Sequence, residues 1–206
     1  MRDATKTVAT WLGISAGLAG IEHGYFEILQ GNTATTGLMI ASMGPPCVPE
    51  EIWNACEPAM TILPSFLVTG VLAVIIGLFI LVWSLAFIHH KHGGTILILA
   101  SIALLLFGGG LFPPIIGIIG GIAGRKINQP IKVKQASSSI RFGAKLWPWP
   151  LVIFLVWVIG QFPIGYYFND LMQQAMYFGV LLILSMLPLS SYSAYARDVQ
   201  NAIIGD

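Results

Sequence analysis

Charged residues are scarce in this chain. They make up 9 % of its 206 residues, against 56 % hydrophobic residues. Soluble domains carry about a quarter charged residues, so the composition indicates an integral membrane protein. The formal net charge is only +1, and the one basic cluster is a short segment between apolar runs. We therefore expect no nucleic-acid partner.

Recognisable catalytic motifs are also missing. The sequence has no Walker loop, no Rossmann fingerprint, no His-rich or Asp-rich motif of a membrane hydrolase, and no histidine pair suited to haem. These absences leave a binding or transport protein, an accessory subunit of a membrane complex, and an enzyme without an identifiable nucleophile.

Cysteine is nearly absent, and both cysteines, Cys47 and Cys56, lie in one predicted outer loop, residues 30–57. This loop is rich in glycine, proline, asparagine and threonine and contains no lysine or arginine. An even pair in one loop predicts a disulfide if the loop faces an oxidising compartment, and two free thiols are the alternative. The spacing does not match a zinc pair.

Long apolar runs predict an all-α, polytopic helical bundle that forms a single transmembrane domain over residues 1–206. Four full spans are expected, at residues 8–29, 59–88, 148–168 and 171–196. Residues 95–124 are apolar too, but Gly108-Gly109-Gly110 and Pro113-Pro114 interrupt them. Because proline does not continue a straight helix, this element is expected to be a hairpin or re-entrant, with a single kinked span as the alternative.

The distribution of lysine and arginine favours the hairpin. Residues 125–147 form a basic loop without acids. If residues 95–124 enter the membrane and return, all ten lysines and arginines fall on one side, as the positive-inside rule requires. This predicts a plasma-membrane protein with both termini in the cytoplasm, and contact between residues 125–147 and anionic lipid heads. Oligomeric state is left open.

Three ionisable residues, Glu22, His23 and Glu27, interrupt the first apolar run. The strongly apolar residues of this run together favour insertion by about 2–5 kcal/mol. One glutamate near the bilayer centre costs about 2.5–3.5 kcal/mol, so two would cancel that gain. The acidic residues are therefore expected to face protein or water, and such residues mark a functional site by default.

Helical periodicity also predicts which residues of this first segment share a face. Glycines at positions 13, 17, 20, 24 and 31 are expected to share one side, which allows another helix to approach closely. His23 and Glu27, four residues apart, share one face, and this spacing suits a shared proton or two ligands of one metal ion. In the alternative, Glu27 bonds loop amides and His23 simply packs against it.

Further polar residues are expected in the outer half of the bundle. Glu57, Thr61 and Ser65 recur every fourth residue at the start of the second span, and we expect this stripe to face His23 and Glu27. The predicted ligand-binding set is Glu22, His23, Glu27, Glu57, Thr61, Ser65 and Gln161. A divalent metal ion would take His23, Glu27 and Glu57.

The pocket so predicted is acidic, contains histidine, and includes no lysine or arginine. It therefore favours binding or transport of a cation or a small cationic solute. A non-catalytic accessory or structural subunit is the alternative, and a membrane enzyme using His23 and Glu27 as an acid–base pair is the third hypothesis.

Overall fold

The computed structural model describes residues 2–42, 58–131 and 135–205, which are mostly helical. The helices are α1 (Asp3–Leu29), α2 (Phe66–Ala86), α3 (Gly93–Leu106), α4 (Phe112–Gly124), α5 (Ser138–Leu146), α6 (Trp149–Tyr167) and α7 (Asn169–Gly205). Two short antiparallel strands, β1 (Met39–Ala41) and β2 (Pro58–Met60), pair in the segment between α1 and α2.

Helix α1 is the centre of the bundle and packs against α2, α3, α4 and α7. Its contact with α2 rests on two pairs of glycines, Gly17 with Gly77 and Gly24 with Gly70. A Cβ on Gly17 would lie 2.8 Å from the carbonyl oxygen of Gly77, and one on Gly24 would lie 2.7 Å from that of Gly70. The two backbones therefore touch, as the glycine pattern predicted, and the helices run antiparallel.

The predicted break in residues 95–124 is confirmed, and the two halves fold back on each other. Gly94 at the start of α3 lies against Gly121 and Gly124 at the end of α4, so α3 and α4 form an antiparallel hairpin. The connecting turn contains Gly108 and Gly110 with φ of +88° and +79°. At about 1.5 Å per residue, each helix is roughly 20 Å long, shorter than the ~30 Å hydrocarbon core.

The second apolar run becomes helical later than predicted. Residues 58–60 form β2, and α2 begins only at Phe66. The prediction of a helical polar stripe from Glu57 to Ser65 is therefore wrong. Pro58 and Pro64 lack the amide hydrogen that a helix interior needs, and β2 pairs its backbone with β1 instead.

The second half of the chain differs from the prediction in two respects. Part of the expected basic loop is helical, because α5 occupies Ser138–Leu146. Helix α7 also extends to Gly205, well past the expected end of the last span. Its extension carries Asp198, whose carboxylate accepts hydrogen bonds from the backbone N–H groups of Ala4 and Thr5 at 3.0 and 2.8 Å. Helix α7 thereby caps the first turn of α1.

Three helical segments of the described chain are long and apolar enough to cross a membrane: Phe66–Ala86, Ser138–Tyr167 and Tyr177–Ile204. Helix α1 is not among them. Helix α2 buries one face, and its other face exposes apolar side chains, namely Val71, Ile75, Leu78, Val82 and Leu85. An exposed apolar face of this extent is expected where lipid, rather than water, surrounds the helix.

Candidate functional site

Helix α1 places His23 and Glu27 on one face, one turn apart, in the interior of the bundle. His23 is 4 % exposed and Glu27 is 0 % exposed. Neither carboxyl oxygen of Glu27 has a hydrogen-bond partner in the described part of the chain. Buried polar atoms are almost always hydrogen-bonded, because an unpaired one loses its hydration without compensation. Glu27 is therefore an unusual side chain for a protein core.

The glycine turn between α3 and α4 forms the wall against both side chains. A Cβ on Gly108 would collide with Oε2 of Glu27, and one on Gly110 would lie 2.5 Å from Nε2 of His23. Both glycines have positive φ, a conformation that other residues adopt only with strain. The turn thus needs glycine twice over, for its backbone conformation and for the room it leaves to Glu27 and His23.

Helix α2 closes the site from a second side. A Cβ on Gly70 would lie 2.9 Å from the Cβ of Glu27, so the stem of the glutamate runs directly over the α2 backbone. The predicted approach of the two helices near Gly24 is confirmed by this contact. At this contact α2 presents glycine; of the polar stripe expected to face Glu27, Thr61 and Ser65 precede α2, and Glu57 lies outside the described residues.

Ser42, just after β1, makes a polar contact with His23. The His23 Nδ1 and Ser42 Oγ atoms are 3.1 Å apart, and the Ser42 hydroxyl is 3.3 Å from the carbonyl oxygen of His23. If the hydroxyl donates to that carbonyl, its oxygen can accept the Nδ1 proton of His23. The Ser42 hydroxyl also lies beside the Glu27 carboxyl. When its single hydrogen points to the His23 carbonyl, it has no hydrogen to donate to Glu27.

Gln30 fixes the position of Ser42. Its side-chain amide donates to the carbonyl oxygens of Ala41 and Ser42, at 3.2 and 2.7 Å. Gln30 lies at the end of α1, so the helix that carries His23 and Glu27 also anchors the segment that contacts them.

Strand β2 and the two residues after it hold the glycine turn in place by backbone hydrogen bonds. The N–H of Gly108 donates to the carbonyl of Met60 at 2.9 Å, and that of Ile62 donates to the carbonyl of Leu106 at 3.1 Å. The residue between them, Thr61, pairs its hydroxyl with that of Thr69 at 2.6 Å. Backbone hydrogen bonds on both sides of Thr61 therefore join the glycine turn, which covers Glu27, to the end of β2 and the residues that follow it.

Of the sequence-predicted site residues, the structure brings His23 and Glu27 together. Thr61 is buried and its hydroxyl is hydrogen-bonded to that of Thr69, whereas Ser65 is half-buried and donates to the side chain of Asn32. Glu22 is half-buried on another face of α1, and Gln161 is half-buried on α6. No hydrogen bond between Gln161 and His23 or Glu27 is found among the described residues.

Several predicted groups lie outside the described residues. These are Glu57 and the two cysteines, Cys47 and Cys56, so both the third metal ligand and the disulfide stay predictions. Within residues 2–42, 58–131 and 135–205, no group of three or more histidine, cysteine, aspartate or glutamate side chains could hold a metal ion. The described site offers a metal two protein ligands, His23 and Glu27.

The sequence does not identify Ser42, Gly70, Gly108 or Gly110 as residues of the site. The Gly-Gly-Gly run is a visible signal, but by itself it predicts only a helix break. No sequence pattern around Ser42 indicates its role, because nothing in the adjacent residues shows that β1 packs against the end of α1.

The chain matches no protein-family model, and searches of curated proteins and of solved structures give no significant match. The site geometry is therefore the basis for a functional proposal.

Proposed function

We propose that this chain is a multi-pass membrane protein that binds or transports a small cation at His23 and Glu27. The observation that carries the proposal is the Glu27 carboxyl, which is fully buried with both oxygens lacking hydrogen-bond partners in the described part. A buried carboxyl in this state is stabilised by a proton or by a bound cation.

The surroundings of Glu27 favour a positive ligand. Its described neighbours are glycines 70 and 108, Ser42 and His23, and none of these is a lysine or arginine. Backbone and hydroxyl oxygens with one carboxylate suit a hard cation, whereas an imidazole nitrogen beside it suits a transition metal. The contribution of His23 to binding therefore separates these two ligand classes.

The proposed orientation follows from the charges. Four spans, with α1 as the first, and the α3–α4 hairpin entering from one side would place the basic residues and both termini in the cytoplasm, in the plasma membrane. The site would then lie in the outer half of the bilayer. Burial of α1 by α2, α3, α4 and α7 supports its insertion despite its acids, because its polar groups contact protein rather than lipid.

An accessory or structural role is the second candidate, and close packing favours it. The glycine turn and α2 lie directly against Glu27, so a protonated carboxyl would serve as a packed core side chain. In that case the site holds the α3–α4 hairpin against α1 and binds nothing.

Glu27→Gln separates the two candidates, and Glu22→Gln is the matched control on the same helix. The purified variants would be analysed for bound metals by mass spectrometry and for melting temperature with sodium, magnesium, calcium, manganese and zinc salts. For a cation site, at least one salt raises the melting temperature of the wild type and of Glu22→Gln but not that of Glu27→Gln.

His23→Ala then identifies the ligand class. It should weaken binding of a hard cation less than Glu27→Gln does, and binding of a transition metal about equally, since imidazole is a ligand mainly for the latter. If no cation stabilises the wild type, or if Glu27→Gln responds as the wild type does, cation binding is refuted and the structural role remains.

A further inference from the structure

A second site, independent of Glu27, lies at the opposite end of α1, around Arg2. The Arg2 side chain is 5 % exposed and lines an open cavity of about 710 Å³. The rest of the lining consists of residues 127–131, Asp3, Asp198, Asn201 and Ala202. Its volume falls in the range of small-molecule sites, roughly 300–1,000 Å³.

The Arg2 guanidinium is only partly satisfied by protein. Nη2 donates to the carbonyl of Pro130 at 3.4 Å, and the guanidinium carbon lies 5.1 Å from the centre of the Tyr195 ring. Nε and Nη1 have no hydrogen-bond partner in the described part of the chain. A buried guanidinium with donors unpaired on two of its three nitrogens is costly, and an acceptor inside the cavity would remove that cost.

The acids of the cavity do not act as this acceptor. Both oxygens of Asp198 receive hydrogen bonds from α1, from the N–H groups of Ala4 and Thr5 and from the Thr5 hydroxyl at 2.6 Å. Asp3 is exposed to solvent. The charge of Asp198 is also compensated by the positive end of the α1 dipole, and among the described residues no carboxylate is paired with the Arg2 guanidinium.

We infer that this cavity binds a phosphate group, toward which the buried Nε and Nη1 donors of Arg2 turn on binding. Phosphate presents acceptor oxygens in several directions at once, which matches donors on different guanidinium nitrogens. The side chains of Asn128, Gln129 and Asn201 add polar groups, while Ile127, Ile131 and Ala202 add apolar surface. The phosphate belongs either to a lipid headgroup or to a soluble phosphate compound.

The test uses the purified, delipidated chain with three variants. Arg2→Gln removes the donors and the charge, Arg2→Lys keeps the charge without the planar fork, and Lys6→Gln removes one charge from the same helix outside the cavity. Inorganic phosphate, phosphatidylglycerol and phosphatidylethanolamine are titrated, with binding measured by native mass spectrometry and by the shift in melting temperature.

We expect the wild type and Lys6→Gln to bind a phosphate compound equally well. Binding to Arg2→Gln should be at least about tenfold weaker, with Arg2→Lys in between. Binding of a phospholipid without binding of inorganic phosphate identifies a headgroup site, and binding of both identifies a soluble ligand.

The inference is overturned if none of the three compounds binds, which would leave a water-filled cavity. It is also overturned if Lys6→Gln loses as much affinity as Arg2→Gln, because the effect would then be general electrostatic attraction. Should Arg2→Gln fail to fold, Arg2→Lys decides: unchanged affinity in that variant overturns the inference, and weakened affinity supports it. Neither result depends on cation binding at Glu27.

Discussion

Substitution of Gly108 by alanine tests the packing of the glycine turn against Glu27. In the structure, the three atoms nearest to the added Cβ would all belong to the Glu27 carboxyl, with Oε1 at 2.6 Å and Cδ at 2.8 Å. Gly31 provides a matched control. Its φ of +71° is also positive, but a Cβ there has nothing within 4 Å.

The expected costs follow from these two environments. Both substitutions place a side chain in the left-handed region, at about 1–2 kcal/mol each. Gly108→Ala adds overpacking of the core, about 1–3 kcal/mol more. The free energy of unfolding should therefore fall by roughly 2–5 kcal/mol for Gly108→Ala and by roughly 1–2 kcal/mol for Gly31→Ala.

A double-mutant cycle assigns the excess to Glu27. In a Glu27→Ala background the carboxyl is gone, so Gly108→Ala should cost only about as much as Gly31→Ala does in the wild type. The coupling energy is then about 1–3 kcal/mol. It would be measured from denaturant unfolding of the four proteins in one detergent.

Additive effects in this cycle would refute the reasoning, because the clash would then not involve the Glu27 side chain. Equal costs for Gly108→Ala and Gly31→Ala would refute it as well. In that case the turn would need glycine only for its backbone conformation, and the wall of the proposed site would be elsewhere.

Three further predictions concern other parts of the chain. Single cysteines at Ser138 and Thr36, both exposed, should react with a membrane-impermeant reagent from opposite sides of the membrane, and labelling from one side would refute the hairpin topology. Cys47 and Cys56 should form a disulfide worth roughly 2–3 kcal/mol through lost chain entropy; alkylation of both thiols in native protein without reductant would disprove it. Asp198→Ala should lower the free energy of unfolding by roughly 1–3 kcal/mol, because it leaves three buried donors of α1 unpaired. An unchanged midpoint in denaturant unfolding would contradict that role.

The sequence was sufficient for features that depend on local composition and period. Apolar runs predicted all the helices of the described residues except α5, which lies in the segment expected to be a basic loop. Glycines 17 and 24 predicted a close helix contact because their spacing keeps them on one face. The break in residues 95–124 followed from Gly-Gly-Gly and Pro-Pro, which interrupt a helix regardless of its surroundings.

Tertiary structure alone decided the start of α2. Composition favoured a helix from residue 59, but the backbone of β2 pairs with β1 and with the end of α3. Those partners lie about 20 and 45 residues away along the chain, beyond the reach of any local pattern. The expected polar stripe of Glu57, Thr61 and Ser65 does not form, because side chains at every fourth position share a face only in a helix, and α2 begins after them.

The candidate site shows the same division. His23 and Glu27 could be paired from their spacing on one helix, since four residues make about one turn. Their contacts come from Ser42, Gly70, Gly108 and Gly110, on three other segments. Glycine has no side chain that could reveal such a role in the sequence. Only the folded backbone, in which α2 and the α3–α4 turn converge on α1, brings these residues to the buried carboxyl.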